Sequence, residues 1–131
     1  MLKIIFGFII LFSSWNGFAD ESQEKRKIDD LINMIKNSNA TFIRNGENHS
    51  SLDAAKHLKM KYRKAKILAF FSGEKIEAKI FIKKVASRSS ATGKPYKMKI
   101  IGKKEILVED WLLARLHEIE QTDKKPQEKS Q

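Results

Sequence analysis

The stretch Ser89–Tyr96, SSATGKPY, joins two parts of the chain that have different sequence periodicities. Before it the apolar residues follow a helical spacing, and from Tyr96 onward they alternate with lysines as in a half-buried strand. Gly93 can supply a positive φ, and Pro95 restricts Lys94 to extended backbone. The stretch therefore predicts a turn at which a helix ends and a strand begins.

Four segments have the pattern of a helix, at residues 24–38, about 51–72, 76–87 and about 109–121. The second begins after Ser50-x-x-Asp53, which resembles a capping box, and it ends at Ser72-Gly73. The third alternates in part like a strand. A strand would leave Phe81 on its polar face, so the pattern favours a helix.

The second predicted helix has one apolar and one charged side. The apolar side consists of Ala54, Ala55, Leu58, Tyr62, Ala65, Leu68 and Ala69. The charged side consists of Lys56, Lys59, Arg63 and Lys66. We expect the first set to pack on the core and the second set to face solvent.

Two short segments, Thr41–Arg44 and Tyr96–Ile101, favour extended structure. They are predicted to pair as a small antiparallel ribbon. Because two strands alone are only marginally stable, helices must cover one face of that ribbon. The sequence thus predicts an α+β fold, mostly α, with about four helices and a small two-stranded antiparallel ribbon.

The first 19 residues have the pattern of a secretory signal peptide. Lys3 precedes nine apolar residues, Ile4–Phe12, and small residues follow near Ala19. We expect cleavage after Ala19, leaving a single compact domain at residues 20–120, a disordered tail at 121–131 and no transmembrane segment. The alternative is an uncleaved anchor, although a membrane span needs about 20 apolar residues. A cleaved signal would place the protein in the periplasm.

The composition is basic and lacks cysteine. Lys and Arg number 26 against 16 Asp and Glu, for a formal net charge of +10. Without cysteine there is no disulfide and no thiol chemistry. An exported protein is not expected to bind nucleic acid, so the charge indicates at most a peripheral attraction to an anionic membrane or to lipopolysaccharide. The partner, an envelope component or a protein, is not identified by the sequence.

The order of several motifs resembles the YfeK-like family of small exported bacterial proteins of unknown function. They are FIRNG followed by His49, then AAKHLKMK, FIKKVASRSSATGKPY and WLLARL. The resemblance extends from about Ile28 to Leu116, and Val85–Tyr96 is its most specific part. Relatives commonly have Ser in place of Thr92. The resemblance implies a periplasmic address and one small domain, and it provides no reaction, cofactor or catalytic residue.

No motif identifies a catalytic, cofactor or metal site. A phosphate-binding Walker A loop around the Gly-Lys pair of SSATGKPY would need glycine at Arg88 and a hydroxyl at Pro95. His49, Asp53 and His57 are spaced by four, but His49 precedes the predicted helix, so the three would not share a helix face. We therefore assign no catalytic residue, no metal ligand and no cofactor.

The two extended segments bring one candidate surface together. If they pair, two loops meet and form a small polar surface suited to a carboxylate or phosphate. Its predicted residues are Arg44, Asn45, Ser90, Thr92 and Lys94, with His49 as a possible polar partner.

These observations predict a soluble periplasmic binding or interaction module of the cell envelope, not an enzyme, with an anionic ligand as one possibility. The alternative hypothesis is an envelope hydrolase that uses Ser90 or His49.

Overall fold

The computed structural model describes residues 16–125 of the chain. Its helices are α1 (Asn16–Asn37), α2 (Ser51–Ser72), α3 (Ala78–Ile80) and α4 (Val108–Lys124). Its strands are β1 (Thr41–Arg44), β2 (Glu47–His49), β3 (Lys97–Lys99) and β4 (Ile106–Leu107). A π-helical segment, Phe81–Ala86, directly follows α3. None of the helices in this range has the length and apolar character needed to cross a bilayer.

The predicted helices are confirmed as helices, but some of their ends differ. α1 begins at Asn16, before the predicted start at Glu24, and α4 continues to Lys124, past the predicted end at Gln121. The start of the predicted disordered tail is therefore helical. The apolar part of the predicted signal peptide, and residues 126–131 of the tail, lie outside the described residues.

The core lies between the helices and one face of the sheet. α1 contributes Ile28, Leu31, Ile32 and Ile35, and α4 contributes Val108, Leu112, Leu116 and Ile119. Each set follows the three- and four-residue spacing of one helix face. Asn39 ends the α1 segment with a φ of 53°, a left-handed conformation that asparagine tolerates better than most residues.

The sheet has four antiparallel strands in the order β2-β1-β3-β4, so the prediction of a two-stranded ribbon is wrong in strand number. The predicted central pair is confirmed, with Phe42 opposite Met98. Asn45 and Gly46 both have positive φ, as a two-residue hairpin requires, and they return the chain as β2. The two added strands are short and mostly exposed, so they carry no apolar alternation that would reveal them in the sequence.

The ends of α2 are confirmed, but the predicted burial of Leu68 is wrong. The Asp53 backbone N–H donates to Ser50 Oγ at 3.1 Å at the start of the helix, and Gly73 forms its C-cap. Beyond Tyr62, however, no α2 side chain is fully buried, and Leu68 is 70% exposed. The C-terminal part of α2 extends past the core. Helical spacing predicted that Leu68 faces the core, but no described part of the core reaches that far along the helix.

The segment 76–87 is helical as predicted, with Phe81, Ile82 and Ala86 buried. The turn that follows it is also confirmed. Its two sides are joined by Ser89 N–H donating to Lys94 O at 2.9 Å and by an isolated bridge between Arg88 and Pro95.

The N-terminus of α3 is capped from α1 rather than by its own sequence. Glu24 Oε2 accepts a hydrogen bond from the Ala78 backbone N–H at 2.7 Å, and Glu24 also pairs with Lys27. Burial raises the pKa of the Glu24 carboxyl, but the Ala78 hydrogen bond and Lys27 outweigh it and leave the pKa lowered. The charged carboxylate therefore ties α1 to α3.

We expect Glu24→Ala to lower the free energy of unfolding by about 1–2 kcal/mol at neutral pH, and Glu24→Gln to lower it less. A lowered pKa gives stability that is present above the unfolded pKa and lost as pH falls through the folded value. Urea unfolding from neutral pH into acid should therefore show a smaller loss for Glu24→Ala than for wild type. Parallel pH profiles would contradict this role.

Candidate functional site

Two recesses meet at a shared wall made of Arg44, His57 and Tyr96. One is a half-enclosed cavity of about 200 Å³, and the other is a more open groove of about 540 Å³. Arg44 is the last residue of β1, His57 lies in α2, and Tyr96 follows Pro95 at the entry to β3. The pairing of β1 with β3 thus brings the two loop ends against α2.

The cavity is mainly apolar with a few polar groups. Its lining residues are Phe42, Ile43, Arg44, His49, Asp53, Ala54, His57, Leu58, Ala86, Tyr96 and Val108. Nε2 of His49 is buried and has no hydrogen-bond partner among the described residues. No group of three or more His, Asp or Glu side chains suited to a metal ion occurs in the described part of the chain.

The groove, which we call the basic groove, has four cations and no carboxylate among the described residues that line it. Its lining residues are Arg44, Asn45, His57, Met60, Lys61, Lys64, Ala65, Leu68, Lys84, Val85, Ser89, Ser90, Ala91 and Tyr96. Lys61 and Lys64 lie four and seven residues after His57, so the three share one side of α2. Lys84 comes from the π-helical segment on the opposite wall.

A chain of hydrogen bonds crosses the shared wall. Lys61 Nζ donates to the Tyr96 hydroxyl oxygen at 3.2 Å and to Arg88 O at 2.7 Å. The Tyr96 hydroxyl lies 3.3 Å from His57 Nε2. With His57 neutral, Tyr96 can donate its proton to Nε2 while it accepts from Lys61. The Tyr96 hydroxyl thus connects the Lys61 ammonium to the His57 imidazole.

Burial and, after it, nearby positive charge shift the pKa values of His57, Lys61 and Tyr96. Burial, followed by the charge of Arg44 and further cations, lowers the pKa of His57 to about 4. Burial, again followed by Arg44, lowers the pKa of Lys61 to about 8. Burial raises the pKa of Tyr96, against a lowering by Arg44. Arg44 therefore acts on all three neighbours, and its field favours a negative charge nearby.

Arg44, Lys61, Lys64 and Lys84 form no ion pair with any side chain that the structure describes. Other cations are compensated, for example Lys25 by Asp29 and Arg115 by Glu118. The basic groove is thus a local excess of positive charge.

The structure places the predicted site residues differently. Asn45 donates to Ser89 Oγ at 3.1 Å and accepts from Thr92 Oγ1 at 2.7 Å, so it joins the two predicted loops. Arg44, Asn45 and Ser90 line the basic groove. Thr92 reaches it only through Asn45, and Lys94 is exposed and outside its lining.

His49 and Ser90, the residues of the alternative hydrolase hypothesis, line different recesses. No hydrogen bond joins them among the described side chains. A nucleophile and its base need hydrogen-bond contact, so the structure gives no observation that favours this pair.

The chain matches a family model described as a family of unknown function (DUF5329) over residues 22–120. The chain belongs to this family. It is also similar to "Uncharacterized protein YfeK" of Salmonella typhimurium, with 34% identity over 99 residues, covering 73% of this chain and 77% of that protein. The YfeK-like resemblance predicted from the motifs is therefore confirmed. No solved structure matches the chain.

The sequence did not lead us to predict one site that contains His57, Lys61, Lys64, Lys84 and Tyr96. The spacing of His57, Lys61 and Lys64 was a usable signal, because it places two cations and an imidazole on one helix side. No spacing in the sequence indicated Lys84, because its position in the groove depends on how the π-helical segment packs on α2.

Proposed function

We propose that the protein is a non-enzymatic binding module of the cell envelope that holds an anionic ligand in the basic groove. The observation that supports this most is the set of four cations that share the groove without a carboxylate or an ion pair among the described residues. Burial and, after it, the charge of Arg44 lower the pKa of Lys61, so holding its ammonium charged in the groove costs free energy. A bound anion would offset that cost.

The groove favours a compact anion with several acceptor oxygens. Arg44 offers a planar fork of donors, and Lys61, Lys64 and Lys84 offer charge without a fixed direction. The Ser90 hydroxyl adds a neutral donor at the rim. This donor set fits a phosphate, a sulfate or a carboxylate group, free or carried on a larger molecule.

The proposed periplasmic location comes from the N-terminal sequence pattern and from the resemblance, which both indicate export. The proposed ligand would then be a component of the envelope. An intact-cell fractionation that separates periplasm from cytoplasm tests the location independently of ligand binding, and recovery with the cytoplasm would contradict it.

Calorimetric titration with sulfate tests the groove, because sulfate keeps its charge throughout the neutral and alkaline range. Binding should weaken with added salt. Binding also requires protonated Lys61, whose pKa is about 8. The affinity should therefore fall by up to about tenfold from about pH 7 to about pH 9. Absence of salt-dependent binding by sulfate and inorganic phosphate would contradict the proposed function.

A further inference from the structure

The C-terminal part of α2 exposes an unusual number of large apolar side chains. Ile67 is 54% exposed, Leu68 70% and Phe71 81%, and Met60 is also exposed about two to three turns earlier. We call Met60, Ile67, Leu68 and Phe71 the α2-end patch. Single exposed apolar residues are ordinary on a protein surface, but a cluster of this kind marks an interaction site.

The α2-end patch is a second apolar stripe on α2, separate from the one that packs on the core. Met60, Ile67 and Phe71 follow each other by seven and four residues and so share one side of the helix. The buried residues of α2 are Ala55, Leu58 and Tyr62, on another side. The stripe therefore faces outward at the end of the helix that extends past the core.

Cations are interleaved with this stripe. Residues 56–66 contain Lys56, Lys59, Lys61, Arg63, Lys64 and Lys66, whereas Asp53 is the one carboxylate in α2. None of these six cations forms an ion pair with a described side chain. An outward face with apolar side chains and uncompensated Lys and Arg has the chemistry of a helix that lies at a lipid–water interface.

The two flanks of the α2-end patch differ in charge. Leu68 borders the basic groove. Phe70, on the other flank, borders a recess with five carboxylates beside three lysines. The carboxylates are Asp20, Glu21, Glu24, Glu74 and Glu77, and the lysines are Lys25, Lys66 and Lys75. Lys56 and Arg63 lie four residues before Met60 and Ile67, so these two cations adjoin the outward apolar stripe.

We propose that the α2-end patch docks this protein on an anionic phospholipid bilayer. Ile67, Leu68 and Phe71 enter the interfacial region, while Lys56 and Arg63 contact the headgroup phosphates. A second copy of the chain is a poorer occupant, because a symmetric contact would bring the same uncompensated cations against each other. The proposal goes beyond ligand binding in the groove and does not depend on it.

A single fluorescent label tests the docking at residue level. Since the chain has no cysteine, Phe71→Cys in the full chain provides one attachment point for an environment-sensitive dye, and Ile101→Cys provides a matched control at a site that is 87% exposed. With vesicles of equal parts phosphatidylglycerol and phosphatidylcholine, the dye at position 71 should report an apolar environment and the dye at 101 should not. Because each dye reports only its own surroundings, contact elsewhere in the chain does not mimic the result.

Substitutions then separate the contributions to docking. Ile67→Ser, at a patch residue outside the lining of the basic groove, should weaken the vesicle-induced response at position 71 by roughly tenfold, because the lost apolar contact drives insertion. Lys56→Gln with Arg63→Gln should weaken it and reduce its salt dependence, and neither residue lines the basic groove. Sulfate titration of the same variants should stay at the wild-type affinity, so failure of docking and failure of groove binding are distinguishable.

Three results would overturn the proposal. The first is a dye at position 71 that stays in water although the protein binds vesicles. The second is an equal response at position 101. The third is an apolar environment at 71 that develops with protein concentration and without vesicles, which would assign the patch to a second copy.

Discussion

Replacing Phe81 with alanine is expected to lower the free energy of unfolding by about 3–5 kcal/mol. Phe81 is the largest fully buried side chain, with no exposed surface. Its ring meets that of Tyr62 edge to face, with centroids 5.4 Å apart. It begins the π-helical segment, which packs on both α2 and α4, so its removal leaves a cavity where three elements meet.

Urea unfolding monitored by circular dichroism measures this loss. Domains of this size have a total stability of about 5–15 kcal/mol, so Phe81→Ala should remove a large share of it and lower the urea midpoint. Phe71→Ala is the matched control, because its ring is 81% exposed and its loss should change stability by no more than about 0.5 kcal/mol. Equal effects of the two substitutions would show that the segment is not part of the cooperative core.

Replacing Arg44 with glutamine is expected to weaken sulfate binding in the basic groove by about tenfold or more, since a charge-assisted contact is lost. Burial and, after it, the charge of Arg44 lower the pKa of Lys61 to about 8, so the substitution should also raise that pKa. Calorimetry measures the first effect and a ¹³C-detected pH titration of the lysine side chains measures the second.

Two readouts make the Arg44 prediction specific. A substitution that merely disturbed the fold would weaken binding without moving the Lys61 pKa upward. Lys99→Gln is the matched control, because Lys99 is an exposed cation of β3 outside the groove lining, and both readouts should stay at wild-type values. Wild-type sulfate affinity in Arg44→Gln would exclude the groove as the anion site.

The sequence predicted the features that depend on residues close to each other along the chain. Ser50 caps α2 as its spacing to Asp53 indicated, and the helical stripe of α1 is buried as its periodicity indicated. Asn-Gly at residues 45–46 is a sequence signal for a hairpin turn, but β2 gives no such signal, because its residues are polar and pair at the edge of the sheet. Leu68 had a core-facing spacing and is nevertheless exposed, since periodicity gives the direction of a side chain and not the presence of a partner.

In the candidate site, too, the sequence predicted some contacts and not others. Asn45 and Thr92 were predicted to approach each other, and they share a hydrogen bond. Lys94 was predicted in that surface because it is close to Thr92 along the chain, yet it lies outside the groove lining. Lys61 and Lys84 enter the groove from two different helical segments, so no periodicity within one helix joins them.

By itself the sequence determined the family, the α+β class, the ends of α2 and the turn at Ser89–Tyr96, where each residue acts through its own backbone or through neighbours a few residues away. Only the tertiary structure decided that Arg44, Lys61, Lys64 and Lys84 share one groove without an ion pair to a described side chain, and that residues 16–125 leave the end of α2 exposed. The physical reason is that charge compensation and burial depend on which surfaces meet across the fold. Neither property belongs to any single segment.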